Sequence, residues 1–167
     1  SEALEQVQLE QERQEKEAAF KQSFDKRNTL KQALEDLKLA KGNLSEAWGK
    51  RKEELRNIIG LIDEIKQENP DAALPTIKEA IAEPEEGSDE KKYVEAKTGV
   101  VEAISDVRTK KEALGNAGVD AEGLSDEDLS KAVEVALRES NQEVREYARQ
   151  NPDSELREVQ ELRGEMV

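Results

Sequence analysis

The chain has no cysteine and no histidine. The first absence excludes disulfide staples, thiolate zinc sites and cysteine nucleophiles. The second removes the commonest general base and metal ligand. Aromatic residues make up 3% of the 167, which tells against a large spherical core, and there are only four prolines, so long stretches offer a helix no obstacle. No apolar run approaches the roughly 20 residues a bilayer-spanning helix needs, and Ser1-Glu2-Ala3-Leu4-Glu5 is unlike a signal peptide. The expectation is a soluble, cytoplasmic chain with no cofactor, no metal and no membrane span.

What is present is charge and helix formers. Charged residues reach 40%, and the mixture of Glu, Lys, Ala, Leu, Arg and Gln comes from the top of the helix-propensity ranking. The predicted fold class is all-α, a long helical hairpin or coiled coil followed by a small helical bundle. Forty acidic against 26 basic side chains give a net charge of −14, and residues 70–167 alone carry −12. Such a surface repels nucleic-acid phosphates and anionic lipid, so no direct nucleic-acid contact is expected. Solubility is its simplest role and attraction of a basic protein its functional one.

The first 69 residues contain no proline, and from Leu30 their apolar side chains step by four and three. Leu30, Leu34, Leu37, Leu44, Trp48, Leu55, Ile58, Ile62 and Ile65 fall on one 3.5-residue grid, the seam of a coiled coil or helical hairpin. At about 1.5–3 kcal/mol for each buried side chain, this is too much apolar surface to leave in water. The seam predicts a covering helix, from the same chain or another, and its nine residues are the candidate protein-interaction residues. Lys41 and Arg51 occupy grid positions where a polar group either selects register or snorkels outward. Trp48 reads as core packing, or as an interface anchor if the seam pairs with another chain. Lys50-Arg51-Lys52 is a compact positive triplet, read as a solvated flank because Glu53 and Glu54 offset its field. Upstream, Phe20 and Phe24 are four apart and share a helix face.

Breaks in the pattern set the segments. Gly42 can end a helix, and Asn43 to Glu46 are spaced like a capping box. Leu37 and Leu44 keep phase across this point, yet a reversal near 42–45 is the expectation. Gly49 and Gly60 either weaken the helix that follows or let another backbone approach. Asn69-Pro70-Asp71 stops the region. Residues 1–69 thus form the long helical or coiled-coil region, and 70–87 a short helix, Asp71 to Ala82 with an interruption near Pro75, and an acidic linker. Residues 88–167 form an acidic helical region.

In that last region Ser88 caps a helix to about Leu114, with Val94, Val101, Ile104, Val107 and Leu114 inward. Gly115-Asn116-Ala117-Gly118 ends it. Ser125 caps the next helix, which carries Leu129, Val133, Ala136, Leu137, Val144 and Tyr147. Asn151-Pro152-Asp153 precedes a final helix with Leu156, Val159 and Leu162. Glu64 to Asp71 resembles Glu146 to Asp153, a likeness that shared helix-ending chemistry accounts for better than duplication.

The chemical motifs mostly dissolve on inspection. Six residues, rather than four, separate Gly42 from Gly49-Lys50, and no strand precedes them, so this is no phosphate loop. Asp120, Glu122, Asp126 and Asp128 resemble a calcium loop, but Ser125 stands where that turn needs glycine, and helix-start acidity explains them better. Asn43-Leu44-Ser45 fits a glycosylation acceptor, with a helix cap the favoured role. Carboxylates three or four apart are expected by coincidence among forty acids. The function expected is that of a noncatalytic helical assembly or adaptor protein acting through coiled-coil or helix-in-groove contacts. The alternatives are an acidic nucleic-acid mimic filling the basic groove of a DNA-binding protein, and a component of a surface or virion assembly.

Overall fold

A computed structural model describes residues 1–166. It is all-α, with no strand among them: α1 Glu2–Glu68, α2 Ile77–Ala80, α3 Asp89–Asn116, α4 Asp126–Gln150 and α5 Arg157–Glu165. This long helix followed by shorter ones agrees with the expected class, all-α with a long helical hairpin or coiled coil followed by a small helical bundle.

The expected reversal near Gly42 does not occur, because α1 runs unbroken for 67 residues. A glycine inside a helix costs only about 1 kcal/mol relative to alanine, and the apolar line that keeps its phase through Leu37 and Leu44 outweighs it. Asn43 and Ser45 therefore lie in mid-helix and cap nothing. Gly42, Gly49 and Gly60 have no atom within 4 Å of where a Cβ would stand, so no backbone approaches them closely. Pro70 does end α1. Beyond it only Ile77–Ala80 is helical, rather than 71–82, since Pro75 offers no N–H and a new N-cap forms at Thr76, whose hydroxyl accepts from the Glu79 amide at 3.2 Å.

The caps at the two serines form as expected. Ser88 Oγ accepts from the Lys91 amide at 3.2 Å and Ser125 Oγ from that of Asp128 at 3.1 Å. The end of α3 is a Schellman turn: the Val119 amide donates to the Leu114 carbonyl and the Gly118 amide to that of Gly115. Gly118 takes the left-handed φ of +88° that this turn requires.

Two compact units result. The first comprises Ser1–Glu35 and the chain from Lys111 onward. Residues 1–16 are wholly exposed, so α1 joins this unit's core only where its aromatics begin. Phe20 and Phe24 of α1 pack with Val144 and Ala148 of α4 and Val159 and Leu162 of α5, and Tyr147 and Leu156 close over them. The Phe20 and Tyr147 rings stack at 4.3 Å between centroids. Ser140, absent from the expected inward set, is fully buried on α4, while Ala136, Leu137 and Tyr147 are half-buried.

The second unit is Asp36–Lys110. Its core comprises Leu37, Ala40 and Ile58 of α1 and Tyr93, Ala96, Val100 and Val107 of α3. On α3 these positions step by three, four and seven, the heptad half of a helical hairpin. Val101, expected inward, is 67% exposed, and Val94 and Ile104 are half-buried. The deep line instead passes through Ala96 and Val100.

Candidate functional site

The nine seam residues do not share one environment. Leu30, Leu37 and Ile58 are each 1% exposed and belong to the core. Leu34, Leu44, Leu55 and Ile62 are half-buried, and Trp48 and Ile65 are exposed. The deepest line on α1 runs Leu30, Ala33, Leu37, Ala40 and continues through half-buried Leu44 and Ala47 to Ile58. Alanines, rather than Leu34, Lys41 and Trp48, therefore fill the second heptad position. Alanine is weakly apolar and hides in a hydropathy reading; the signal that could have found the line was the seven-residue spacing of Ala33, Ala40 and Ala47.

This rotation moves Trp48 out of the core, contrary to the expected packing, and creates a second feature. Trp48, Leu55 and Ile62 lie along the border of the buried face, and Lys52, Ile59 and Lys66 lie one heptad position farther round. Trp48 is 46% and Ile59 42% exposed. Past Ile58 the inner line itself loses cover at Leu61 and Ile65, both exposed. From Trp48 to Lys66, roughly 27 Å of helix at 1.5 Å per residue, α1 thus presents an apolar strip to water. At one end is a cleft of about 340 Å³ lined by Trp48, Gly49, Arg51, Lys52 and Leu55. The Arg51 guanidinium sits 5.0 Å from the Trp48 ring centroid.

The Trp48 end of the strip is locally positive, whereas over its whole length to Lys66 five basic side chains stand against four acidic ones, Glu53, Glu54, Asp63 and Glu64. From Trp48 to Arg56 the sequence holds four basic and two acidic side chains within a chain of −14. Glu54, one of the two acids expected to offset the triplet, stands seven residues after Ala47 on the inner line. One of its carboxylate oxygens is buried without a hydrogen-bond partner. No carboxylate of the described residues lies within 4.0 Å of Lys50, Arg51, Lys52 or Arg56.

Other hollows are larger but chemically plain. One of about 920 Å³ at the α4–α5 turn is bordered by Arg13, Tyr147 and Arg157, yet Arg13 is bound to Glu10 and Arg157 to Glu161, each at 2.6 Å. Burial pushes the Tyr147 phenol above its ordinary pKa. Another of about 720 Å³ follows one face of α4, where Arg138, Arg145 and Arg149 alternate with Glu134 and Glu146. The Asp120 to Asp128 run is local turn structure: Asp120 Oδ1 accepts from the Glu122 amide at 3.0 Å, and Asp126 and Asp128 fill the first turn of α4. Among the described residues no three or more acidic side chains are grouped to hold a metal ion, and no helix is long and apolar enough to cross a membrane.

Compared with known protein families, with curated proteins and with solved structures, the chain matches none.

Proposed function

We propose that the chain is a noncatalytic assembly or adaptor protein that works by helix-to-helix contact through the second half of α1. The observation that carries this reading is the strip from Trp48 to Ile65, where the sole tryptophan and several large aliphatics stay in contact with water. Contiguous exposed apolar surface of this kind marks an interaction site more often than chance. Leu30, Leu37 and Ile58 then serve the fold. Trp48, Leu55, Ile62 and Ile65 serve the contact, joined by Ile59, and half-buried Leu34 and Leu44 flank it.

A photo-crosslinking residue in place of Ile59 tests the reading in an extract of the source cells. A discrete adduct is expected, with a second copy or with another protein, and the paired changes Leu55→Asp and Ile62→Asp should abolish it. The same crosslinker in place of exposed Val101 on α3 is the control. No adduct at Ile59, or equal adducts at both positions, contradicts the proposal.

A further inference from the structure

The charge around the strip selects its occupant, an inference that rests on the reading just given. Two classes of helix could cover an apolar line on α1: the same strip of a second copy, or a helix of different composition. Symmetric self-pairing would bring Arg51, Lys52 and Lys66 against side chains of their own sign, and like charges across a contact oppose it. A helix whose apolar line is flanked by Asp and Glu satisfies both the hydrophobic and the electrostatic demand. We propose that the Trp48 to Lys66 face of α1 docks an acidic amphipathic helix of a partner protein.

The cleft fits that occupant in detail. Its 340 Å³ lies at the small end of the roughly 300–1,000 Å³ typical of small-molecule sites, a size suited to an inserted side chain. Gly49 contributes no side chain, and nothing lies within 4 Å of its missing Cβ, so the approach to the Trp48 ring is open. Arg51 and Lys52 both line the cleft, and no acid does. Arg51, steadied over the indole, keeps a planar fork of donors for a carboxylate, which it can grip with two parallel hydrogen bonds. The partner's leucine or phenylalanine enters beside Trp48 and Leu55, and its Asp or Glu side chains meet Arg51 and Lys52.

Because Trp48 is the only tryptophan, its emission reads the site directly in the full chain. The probe is a synthetic helix of about six turns, roughly 21 residues, with leucine at the two seam positions of each heptad and glutamate beside them. A twin carries lysine for every glutamate. The acidic peptide is expected to shift Trp48 emission to the blue with saturation, to bind at least about tenfold more tightly than its twin, and to weaken with salt. Reversing both cations, Arg51→Glu with Lys52→Glu, should invert the preference. Lys52 is exposed and Arg51 half-buried, so circular dichroism and urea unfolding check that the fold is kept. Equal binding of the two peptides, binding indifferent to the charge reversal, or no binding of either overturns the inference. If neither peptide binds but the Ile59 crosslinker still joins two copies, helical contact through the strip stands and the acidic occupant falls. If that adduct is also missing, both fall.

Discussion

Arg27 reaches out of α1 to hold both carboxylate oxygens of Glu165 at the end of α5, at 2.8 and 3.2 Å, with its own side chain almost wholly buried. Its guanidinium also lies 5.0 Å from the Phe24 ring centroid, so one side chain covers the aromatic core and anchors the last helix. Arg27→Ala removes the packing of its stem as well as its charge. The expected loss is about 2–3 kcal/mol in urea unfolding, most of it from the space left by the buried stem, because the Glu165 carboxylate left behind is 44% exposed. A loss under about 1 kcal/mol, the value of a surface pair, contradicts this role.

The same pair makes stability depend on pH. Hydrogen bonding from Arg27 holds the Glu165 carboxyl below its ordinary value of 4.5. The folded chain therefore takes up this proton less readily than the unfolded chain. The pair's contribution is present above about pH 4.5 and is lost as pH falls through the lower folded value. Glu165 is 44% exposed, so solvent screens part of the effect. Glu165→Gln is expected to be less stable than the parent at neutral pH and to converge with it under acid. Parallel stability curves across that window contradict the assignment.

Continuity of α1 through Gly42 is open to a simple test. With helical neighbours and empty space around the missing Cβ, Gly42→Ala should stabilise the chain by about 0.5–1 kcal/mol, measured by urea unfolding. A chain that turned back at this glycine would be destabilised.

Gly118 should behave in the opposite way. Its φ of +88°, and the Lys26 Nζ 3.3 Å from where a Cβ would stand, make Gly118→Ala destabilising by about 1 kcal/mol or more. An unchanged midpoint would mean that the Schellman turn does not hold the end of α3.

How much of this was legible in the sequence follows from which signals were local. Ser88, Ser125, Pro70 and Gly118 act on their own backbone neighbours, so the starts and ends of helices could be read directly. Gly42 shows the limit of such reading: its local preference to break was weaker than the packing of Leu37 and Leu44 on either side, and packing belongs to the tertiary structure. The seam could be read to within one position of its true line. Hydropathy favours the large side chains Leu34, Trp48 and Leu55, whereas the buried positions beside them are Ala33 and Ala40. Val101 was misplaced for the same reason, because Ala96 and Val100 share the deeper line. The exposed strip existed in the sequence only as surplus, more apolar positions than a single buried face could absorb.

That surplus places two adjacent residues on opposite sides of the account, Ile58 at 1% and Ile59 at 42% exposure. Titrating Ile59→Asp with the acidic helix peptide, with urea unfolding of Ile58→Asp and Ile59→Asp alongside, separates fold from contact. Burying a carboxylate at position 58 should cost at least about 3 kcal/mol or unfold the chain. The change at position 59 should leave stability within about 0.5 kcal/mol while abolishing the peptide's effect on Trp48. Binding by Ile59→Asp as tight as the parent's, or unfolding as easy as that of Ile58→Asp, would contradict the division of α1 into a buried line and a docking strip.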